Sequence, residues 1–409
     1  MNTCLRCTWI SLSCLALASC SVPTPTFAKV AAHQRSALYR YGSQQVLVLR
    51  GSPYQMGMDH GRLLGSAVRT VIREGLAWTH RAGLSRAQLT TISDQSWPHI
   101  PQTYKDEMRG LAEGSGALFQ DIRMLHAMPS KFHCSGAAAA GSATVDGKLY
   151  HTRSLDYPLE IGVDDRMQNH AVLIVRQPDD GLANAVVSWA GFLGAVTGMN
   201  LAGISIGEMG SASRDEDYAG MPMIFMLREA LRRARTLDQA LEIFRRGPRT
   251  CGFNFIIGSG DEGLAVALEV TRQQFFVSGF GDPAENVAPH TAMNNMVRRT
   301  NHFVGENTAR TQRRDGQGYH PEVYMAASWR RYQLITRYLE QARGRLDAQT
   351  MIDLLRKYPT GHACLHQAVM CATDRKIWVA QAIDDRDSPA AGAQNQQFYQ
   401  YDLLELLRL

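Results

Sequence analysis

Residues 133–157, HCSGAAAAGSATVDGKLYHTRSLDY, decide how the rest of the chain is interpreted. A cysteine, Cys134, precedes a run of small residues, and Asp146-Gly147 then marks a hairpin turn between two β-prone segments. Such a hairpin brings Arg153 and Asp156 back towards the strand that begins at Cys134. Because the thiolate is the reactive form of cysteine and a nearby cation favours it, the stretch predicts an activated nucleophile. The alternative is a buried structural thiol, which is the commoner use of a cysteine.

The run of Cys-Ser, small residues, Ala-Thr-x-Asp-Gly-Lys and Arg-x-x-Asp-Tyr resembles the nucleophile region of the penicillin acyltransferase-like autoproteolytic enzymes. These are N-terminal-nucleophile hydrolases, and the resemblance implies that the precursor cleaves itself between His133 and Cys134. The freed α-amine of Cys134 then serves as the base for its own side chain, since an α-amine titrates at about pH 8. The same resemblance implies that Asp156 orients this amine and that Arg153 favours the thiolate.

The order of predicted elements indicates an α+β fold. Residues 45–133 contain the patterns of one strand and three helices, so this piece, the smaller chain after cleavage, is predicted to be mainly helical. Residues 134–409, the predicted catalytic core and larger chain, alternate groups of short strands with helix pairs. The resemblance implies a four-layer αββα sandwich of two antiparallel sheets with helices outside. Cys134 is expected at the start of a central strand.

Residues 1–19 have the positive start and the short apolar run of a signal peptide. Residues 17–20, LASC, resemble a bacterial lipobox, which predicts lipidation of Cys20 and a tether over residues 20–44. The alternative is ordinary signal-peptidase cleavage after Ala28, at a small-x-small site. In both cases we expect an exported protein, periplasmic or membrane-anchored through lipidated Cys20, and otherwise secreted.

Three further residues are predicted to serve the site. Asn254, in CGFNFIIG, resembles the family's oxyanion asparagine, although an amide that satisfies neighbouring backbone groups is the alternative. Asn200, in TGMNLAGISI, resembles an asparagine that borders the site in the wider superfamily, which implies substrate binding. Arg299 is suited to pair with a substrate carboxylate, or else is solvated on a loop. Residues 300–303, TNHF, resemble a recurrent family segment and are assigned to the substrate side.

Two motif matches compete with the cysteine. Residues 203–207, GISIG, satisfy G-x-S-x-G, which would make Ser205 the nucleophile of a serine esterase. That motif needs a helix directly after the strand, whereas Ser205 lies inside an alternating apolar run, so a strand interior is the preferred interpretation. Residues 258–263 satisfy G-x-G-x-x-G but precede the β-prone segment LAVALEV, which favours a hairpin turn. A catalytically silent, lipid-anchored binding protein is a third hypothesis.

Composition narrows the function further. The net charge of +5 is modest for 409 residues and no dense basic patch is present, so we predict no nucleic-acid partner. No Cys-x-x-Cys pair follows the signal segment, and neither a cofactor nor a metal is predicted. A disulfide between Cys364 and Cys371 is allowed, but the pairing of these and Cys251 stays open. The sequence thus predicts an autoproteolytic cysteine amidohydrolase or acyltransferase for small N-acyl amides, with an amine as a possible acyl acceptor and membrane contact through the lipid anchor.

Overall fold

The computed structural model describes residues 25–128, 133–162, 164–313, 321–357, 364–385, 388 and 390–409, without the side chains of 133 and 321–324. The predicted signal peptide and the lipidation site Cys20 lie outside these residues, as do residues 129–132 before the predicted cleavage site. Export and lipidation therefore stay predictions from the sequence. In the described ranges, no helix combines the length and the apolar character that crossing a bilayer requires.

In the described part of the chain, sixteen strands form two sheets. The strands are β1 (Phe27–His33), β2 (Ser36–Tyr41), β3 (Gln44–Gly51), β4 (His133–Gly141), β5 (Gly147–Asp156), β6 (Ala171–Pro178), β7 (Asn184–Trp189), β8 (Thr197–Asn200), β9 (Ile204–Gly210), β10 (Phe253–Ser259), β11 (Leu264–Val270), β12 (Phe275–Ser278), β13 (Met296–Arg299), β14 (Cys364–Cys371), β15 (Lys376–Gln381) and β16 (Tyr399–Asp402). The larger sheet has the order β1-β2-β3-β6-β7-β8-β9-β10-β11-β12, and the smaller has the order β13-β4-β5-β14-β15-β16.

All paired strands are antiparallel except β3 and β6 in the larger sheet. A parallel pair needs a long crossover connection. Here that connection contains helices and the whole β4–β5 hairpin, so this hairpin lies in the second sheet before the chain returns to the first.

The same described residues contain ten α-helices. They are α1 (Pro53–Arg81), α2 (Arg86–Ser96), α3 (Gln102–Ser115), α4 (Phe119–Ala127), α5 (Met223–Arg233), α6 (Leu237–Arg246), α7 (Glu306–Thr311), α8 (Pro321–Gln341), α9 (Ala348–Lys357) and α10 (Leu403–Leu406). Helix α1 begins at a capping box, in which Ser52 and Gln55 bond each other's backbone N–H groups. Helix α1 packs closely on α3, because a Cβ on Gly57 would lie only 2.0 Å from the Glu107 carbonyl oxygen.

The described residues form four layers, separated by three large apolar cores. The first core lies between the larger sheet and the helices α1, α3, α5 and α6. The second lies between the two sheets, where Val48 and Ile256 of the larger sheet face Ala138 and Met370 of the smaller. The third lies between the smaller sheet and the helices α8 and α9. The predicted αββα sandwich is therefore confirmed.

The hairpin that contains Cys134 has the predicted position. Cys134 is the second residue of β4, which lies inside the smaller sheet between β13 and β5. The turn ends at Gly147, whose φ of +75° is in the left-handed region that glycine tolerates. The second glycine motif, residues 258–263, is also the predicted hairpin turn, because β10 ends within it and β11 follows.

The tether predicted over residues 20–44 is wrong for its described C-terminal part. Residues 27–41 form the β1–β2 hairpin at the edge of the larger sheet. Tyr39 and Tyr41 are buried in the core between the sheets, and the Tyr41 ring stacks on Phe27 with 4.3 Å between centroids. Burial of these aromatic rings gives the segment a fixed place that a tether would not have. The Ser/Pro/Thr-rich composition that indicates a tether is confined to residues 21–26, so it did not justify a tether as far as residue 44.

Candidate active site

Cys134 is fully buried, and each of its polar atoms contacts a different residue. Its backbone N–H donates to Asn301 Oδ1 at 2.9 Å, and its carbonyl oxygen accepts from Arg331 Nη1 at 2.6 Å. Its Sγ accepts from Arg153 Nη2 at 3.2 Å. The strand register explains the last contact: Cys134 lies opposite Leu155, and Arg153, two residues earlier on β5, shares the face of Leu155.

Arg153 links the two sheets behind the thiol. Its Nε donates to the backbone oxygen of Glu208 at 3.2 Å, and its Nη2 donates to Glu208 Oε2 at 3.2 Å. Its Nη1 donates to Nε2 of His366 at 3.0 Å, and the Thr197 hydroxyl donates to the same nitrogen at 2.9 Å. All these side chains are buried, so the guanidinium has one fixed orientation towards Sγ.

Burial dominates the ionisation of this group of side chains. It raises the pKa of the Cys134 thiol well above its usual value, and the positive charge of Arg153 offsets only part of the rise. Burial also raises the pKa of Glu208 to about 7 and lowers the pKa of His366 well below its usual value. The charge of Arg153 alone therefore does not produce the thiolate that the sequence analysis predicted. The thiol is protonated and His366 is neutral.

Asp156 directly follows Leu155 on β5, so its side chain lies on the opposite face of the strand from those of Leu155 and Arg153. Its Oδ1 accepts from the Ser154 hydroxyl at 2.5 Å and from Sγ of Cys364 at 2.9 Å. Its Oδ2 lies 3.8 Å from Arg331 Nη1 and has no hydrogen-bond partner among the described residues. Since Arg331 also binds the Cys134 carbonyl, the arginine connects the carboxylate to Cys134.

Asn301 and Arg331 are functional candidates to which the sequence assigned no role. Asn301 Oδ1 accepts from Arg331 Nη2 at 2.8 Å as well as from Cys134, and its Nδ2 donates to the Gly210 carbonyl at 2.7 Å. The TNHF segment had been assigned to the substrate side, but nothing in it singled out the asparagine. Arg331 had no usable signal, because it is one of several arginines on α8. The sequence did contain a signal for Glu208, because it is an acidic residue inside the apolar strand GISIGEMG.

The oxyanion role predicted for Asn254 does not fit its geometry. Both protons of its Nδ2 are used, one on the Thr300 carbonyl and one on the His302 carbonyl, each at 2.8 Å. No amide proton is left for an oxyanion. Asn254 instead fixes the loop that carries Asn301. This is the alternative raised in the sequence analysis, an amide that satisfies nearby backbone groups.

The substrate-binding roles predicted for Asn200 and Arg299 are also corrected. Asn200 donates to the carbonyls of Leu231 and Ala234 and accepts from the backbone of Ile204, so all its hydrogen-bonding groups serve the end of α5 and the turn into β9. Arg299 is fully buried between two carboxylates. These belong to Glu269, at 2.9 Å, and Glu285. Such a guanidinium is neither solvated nor available to a substrate.

Ser205 lies inside β9, as the sequence indicated. No helix follows it, because the strand continues to Gly210, and the nucleophile elbow is therefore excluded. The Ser205 hydroxyl does contact Nδ1 of His151 at 3.0 Å, but both side chains are fully buried. Burial lowers the pKa of His151 to about 3, which makes it a poor base at neutral pH.

The disulfide considered for Cys364 and Cys371 is ruled out. The two residues are the first and last of β14, and a strand rises about 3.3 Å per residue, which separates them by roughly 23 Å. A disulfide allows about 7 Å between Cα atoms. The four described cysteines are buried, and no disulfide joins any two of them.

An apolar cavity of about 60 Å³ adjoins the site. Two of its walls come from residues beside the site: Leu155 and Tyr157 flank Asp156, and Leu365 precedes His366. The other walls come from α1, from the end of α4, from the β5–β6 connection, and from β7 and its connection to β8. They comprise Val71, Gly75, Trp78, Leu125, Met128, Ile161, Met167, Trp189, Phe192 and Val196. None of the described residues that line the cavity is charged, so the cavity is suited to a hydrocarbon group.

Comparison with known protein families gives one match that covers more than half of the chain. Residues 160–379 match acyl-coenzyme A:6-aminopenicillanic acid acyl-transferase. The match includes Glu208, Asn301, Arg331 and His366 and begins after Cys134.

The chain is also similar to individual proteins. It is 26% identical to protein dcd1B of Dictyostelium discoideum, over 92% of this chain and 78% of that protein, and 28% identical to dcd1A of the same organism, over 60% and 63%. Among solved structures, the N-acylethanolamine-hydrolyzing acid amidase ortholog of Caenorhabditis elegans is 17% identical, with a TM-score of 0.43 over 66% of this chain and 99% of that one. Penicillin V acylase from Agrobacterium tumefaciens is 11% identical, with a TM-score of 0.37 over 61% and 83%.

Proposed function

Because the chain belongs to the acyl-coenzyme A:6-aminopenicillanic acid acyl-transferase family, we propose that it is a cysteine amidohydrolase or acyltransferase that activates itself by cleavage before Cys134. The contacts at the start of β4 carry the proposal. Arg153 Nη2 contacts Sγ, while Asn301 Oδ1 holds the backbone nitrogen that cleavage would release. A structural thiol needs neither contact, and burying a guanidinium with its carboxylate costs several kcal/mol of desolvation.

Self-cleavage is the proposed first step. Sγ of Cys134 attacks the carbonyl carbon of His133, and an S–C bond forms as the C–N bond to Cys134 breaks. The thiol proton passes to the departing nitrogen. Water then hydrolyses the thioester, leaving a carboxylate on residue 133 and a free α-amine on Cys134. Arg331 and Asn301 hold the Cys134 carbonyl and nitrogen in place during both steps.

Turnover uses the amine that cleavage creates. The buried thiol of Cys134 is protonated, so it needs a base. The α-amine is suited to this role because it titrates at about pH 8. The amine takes the thiol proton as Sγ attacks the amide carbonyl of the substrate. It then gives this proton to the leaving amine as the C–N bond breaks, which yields a thioester on Cys134. Water or a second amine accepts the acyl group, giving hydrolysis or acyl transfer.

The apolar cavity favours substrates whose acyl group is a hydrocarbon. It adjoins Leu155, which lies directly opposite Cys134 in the β4–β5 register, so a thioester on Sγ has apolar walls on this side. The substrate class proposed is therefore small amides of apolar acyl groups. Recognition of a substrate carboxylate by Arg299 is not part of this proposal, because that side chain is buried between two glutamates.

Hydrolysis of acyl p-nitroanilides of graded chain length tests the proposal. We expect turnover by the wild-type protein and none by Cys134→Ala, whereas Cys371→Ala, which removes another buried thiol of the smaller sheet, should keep turnover. Iodoacetamide should inactivate the cleaved wild-type protein. Full activity of Cys134→Ala would refute the cysteine mechanism.

A further inference from the structure

A bulge in β14 places a second thiol beside Asp156. His366 lies opposite Leu155 and Cys364 lies opposite Asp156, so Leu365 is the extra residue of the strand. In a regular strand Leu365 would oppose Asp156, and Cys364 would point to the other face of the sheet. The bulge therefore puts the thiol, and not a leucine, next to the carboxylate.

Asp156 Oδ1 is held by two donors. The Cys364 thiol donates at 2.9 Å and the Ser154 hydroxyl donates at 2.5 Å. Gln367 Nε2 donates to the Ser154 oxygen at 3.2 Å and to the Leu355 carbonyl at 3.0 Å, which fixes the serine. Because Ser154 accepts from Gln367, its own proton is directed to the carboxylate. All four side chains around Oδ1 are buried.

The thiol of Cys364 is a donor and not a second nucleophile. Burial and the neighbouring Asp156 raise its pKa well above the usual value, so it keeps its proton. The Cys134 and Cys364 residues lie on the two strands that flank β5, roughly 10 Å apart, which is too far for a disulfide. With both donors on Oδ1, the carboxylate presents Oδ2 to Arg331 at 3.8 Å.

We propose that Cys364 is a positioning residue, which, together with Ser154, orients Asp156 so that Oδ2 faces the amine released at Cys134. This inference rests on the proposed function of Cys134. Cys364 touches neither the substrate nor Sγ of Cys134; it acts through the carboxylate. Its loss lets the carboxylate rotate, so the amine is held less firmly in the orientation that proton transfer requires.

The order of three substitutions distinguishes a donor from a packing residue. Cys364→Ser keeps a donor at this position, whereas Cys364→Ala and Cys364→Val remove it. A residue that only fills space tolerates alanine or valine better than a buried hydroxyl. A donor gives the reverse order. Cys371, at the other end of the same strand, is the matched control.

Steady-state kinetics with an acyl p-nitroanilide is the main test. For Cys364→Ala and Cys364→Val we expect kcat to fall by about tenfold or more with KM unchanged, and for Cys364→Ser to stay within about threefold of the wild type. The three substitutions at Cys371 should leave kcat unchanged. Serine performing as poorly as alanine or worse at position 364 would overturn the proposal.

An infrared measurement separates this proposal from the proposed function. In the uncleaved Cys134→Ala chain, the S–H stretching band that disappears in Cys364→Ala should lie at lower frequency than the band that disappears in Cys371→Ala, because of its bond to a carboxylate. Equal frequencies would overturn the role of Cys364 even if the enzyme is active. A lowered frequency in a protein whose wild type shows no turnover would instead count against the proposed function alone.

Discussion

Replacing Asn301 by alanine should destabilise the protein, because this side chain holds the backbone of Cys134. The side chain accepts from the Cys134 N–H at 2.9 Å and from Arg331 Nη2 at 2.8 Å, and it donates to the Gly210 carbonyl at 2.7 Å. It is fully buried, so bulk water does not replace these bonds. The alanine variant leaves the Cys134 N–H and the Gly210 carbonyl without these partners.

The expected loss follows from these two groups. A buried polar group without a partner costs about 1–3 kcal/mol, which gives about 4 kcal/mol for the pair. Arg331 adds less, because it keeps its bond to the Cys134 carbonyl. A loss of this size is a large fraction of the stability of a folded domain.

Urea denaturation measures this loss best in the Cys134→Ala background, which lacks the thiol of the proposed self-cleavage. The control is Asn169→Ala, since Asn169 is an exposed asparagine that bonds Asp165 and Asp384 at the surface. Asn169→Ala should change the free energy of unfolding by about 0.5 kcal/mol or less. If Asn301→Ala and Asn169→Ala differ by less than about 1 kcal/mol in free energy of unfolding, the hydrogen bonds of Asn301 do not hold Cys134 as described.

Three further predictions concern the pH dependence, the cavity and the buried ion pairs. Burial raises the pKa of Glu208 from 4.5 to about 7. Between these pH values the folded state binds a proton that the unfolded state lacks, so the contribution of Glu208 makes the free energy of unfolding fall as pH rises. Urea denaturation at several pH values should show that the free energy of unfolding falls less steeply with pH in Glu208→Gln than in the wild type. An unchanged slope would contradict the raised pKa of Glu208. Trp78→Ala should enlarge the apolar cavity and raise kcat/KM for long over short acyl p-nitroanilides by roughly tenfold; no change in this ratio would remove the cavity as the acyl site. Arg299→Met, in the Cys134→Ala chain, should lower the free energy of unfolding by about 3–5 kcal/mol because Glu269 and Glu285 lose their shared cation, whereas a small loss would indicate a dispensable arginine.

The parts of the fold that the sequence predicted well are local. The β4–β5 hairpin follows from Asp146-Gly147 between β-prone segments, and its register alone brings Arg153 beside Cys134. The hairpin β1–β2 was missed because the tether predicted from the composition of residues 21–26 was taken to include it. Its burial depends on Tyr39 and Tyr41 meeting a sheet formed by distant residues.

The parts of the site that were missed depend on distant contacts. Asn301 and Arg331 reach Cys134 from 167 and 197 residues along the chain, and the local sequence carries no trace of such a pairing. The predictions for Asn254 and Arg299 failed differently. Asn254 was noticed as an amide in an apolar strand, and Arg299 as a guanidinium suited to a carboxylate. A buried amide or guanidinium satisfied by the protein looks the same in sequence as one that awaits a substrate.

Intact-mass spectrometry of the purified protein tests the central claim most directly. The account predicts that wild-type protein yields two pieces, the larger of which begins at Cys134, while Cys134→Ala remains one chain. A wild-type protein that hydrolyses amides as a single uncleaved chain would contradict it, because the amine that serves as the base would then never be formed.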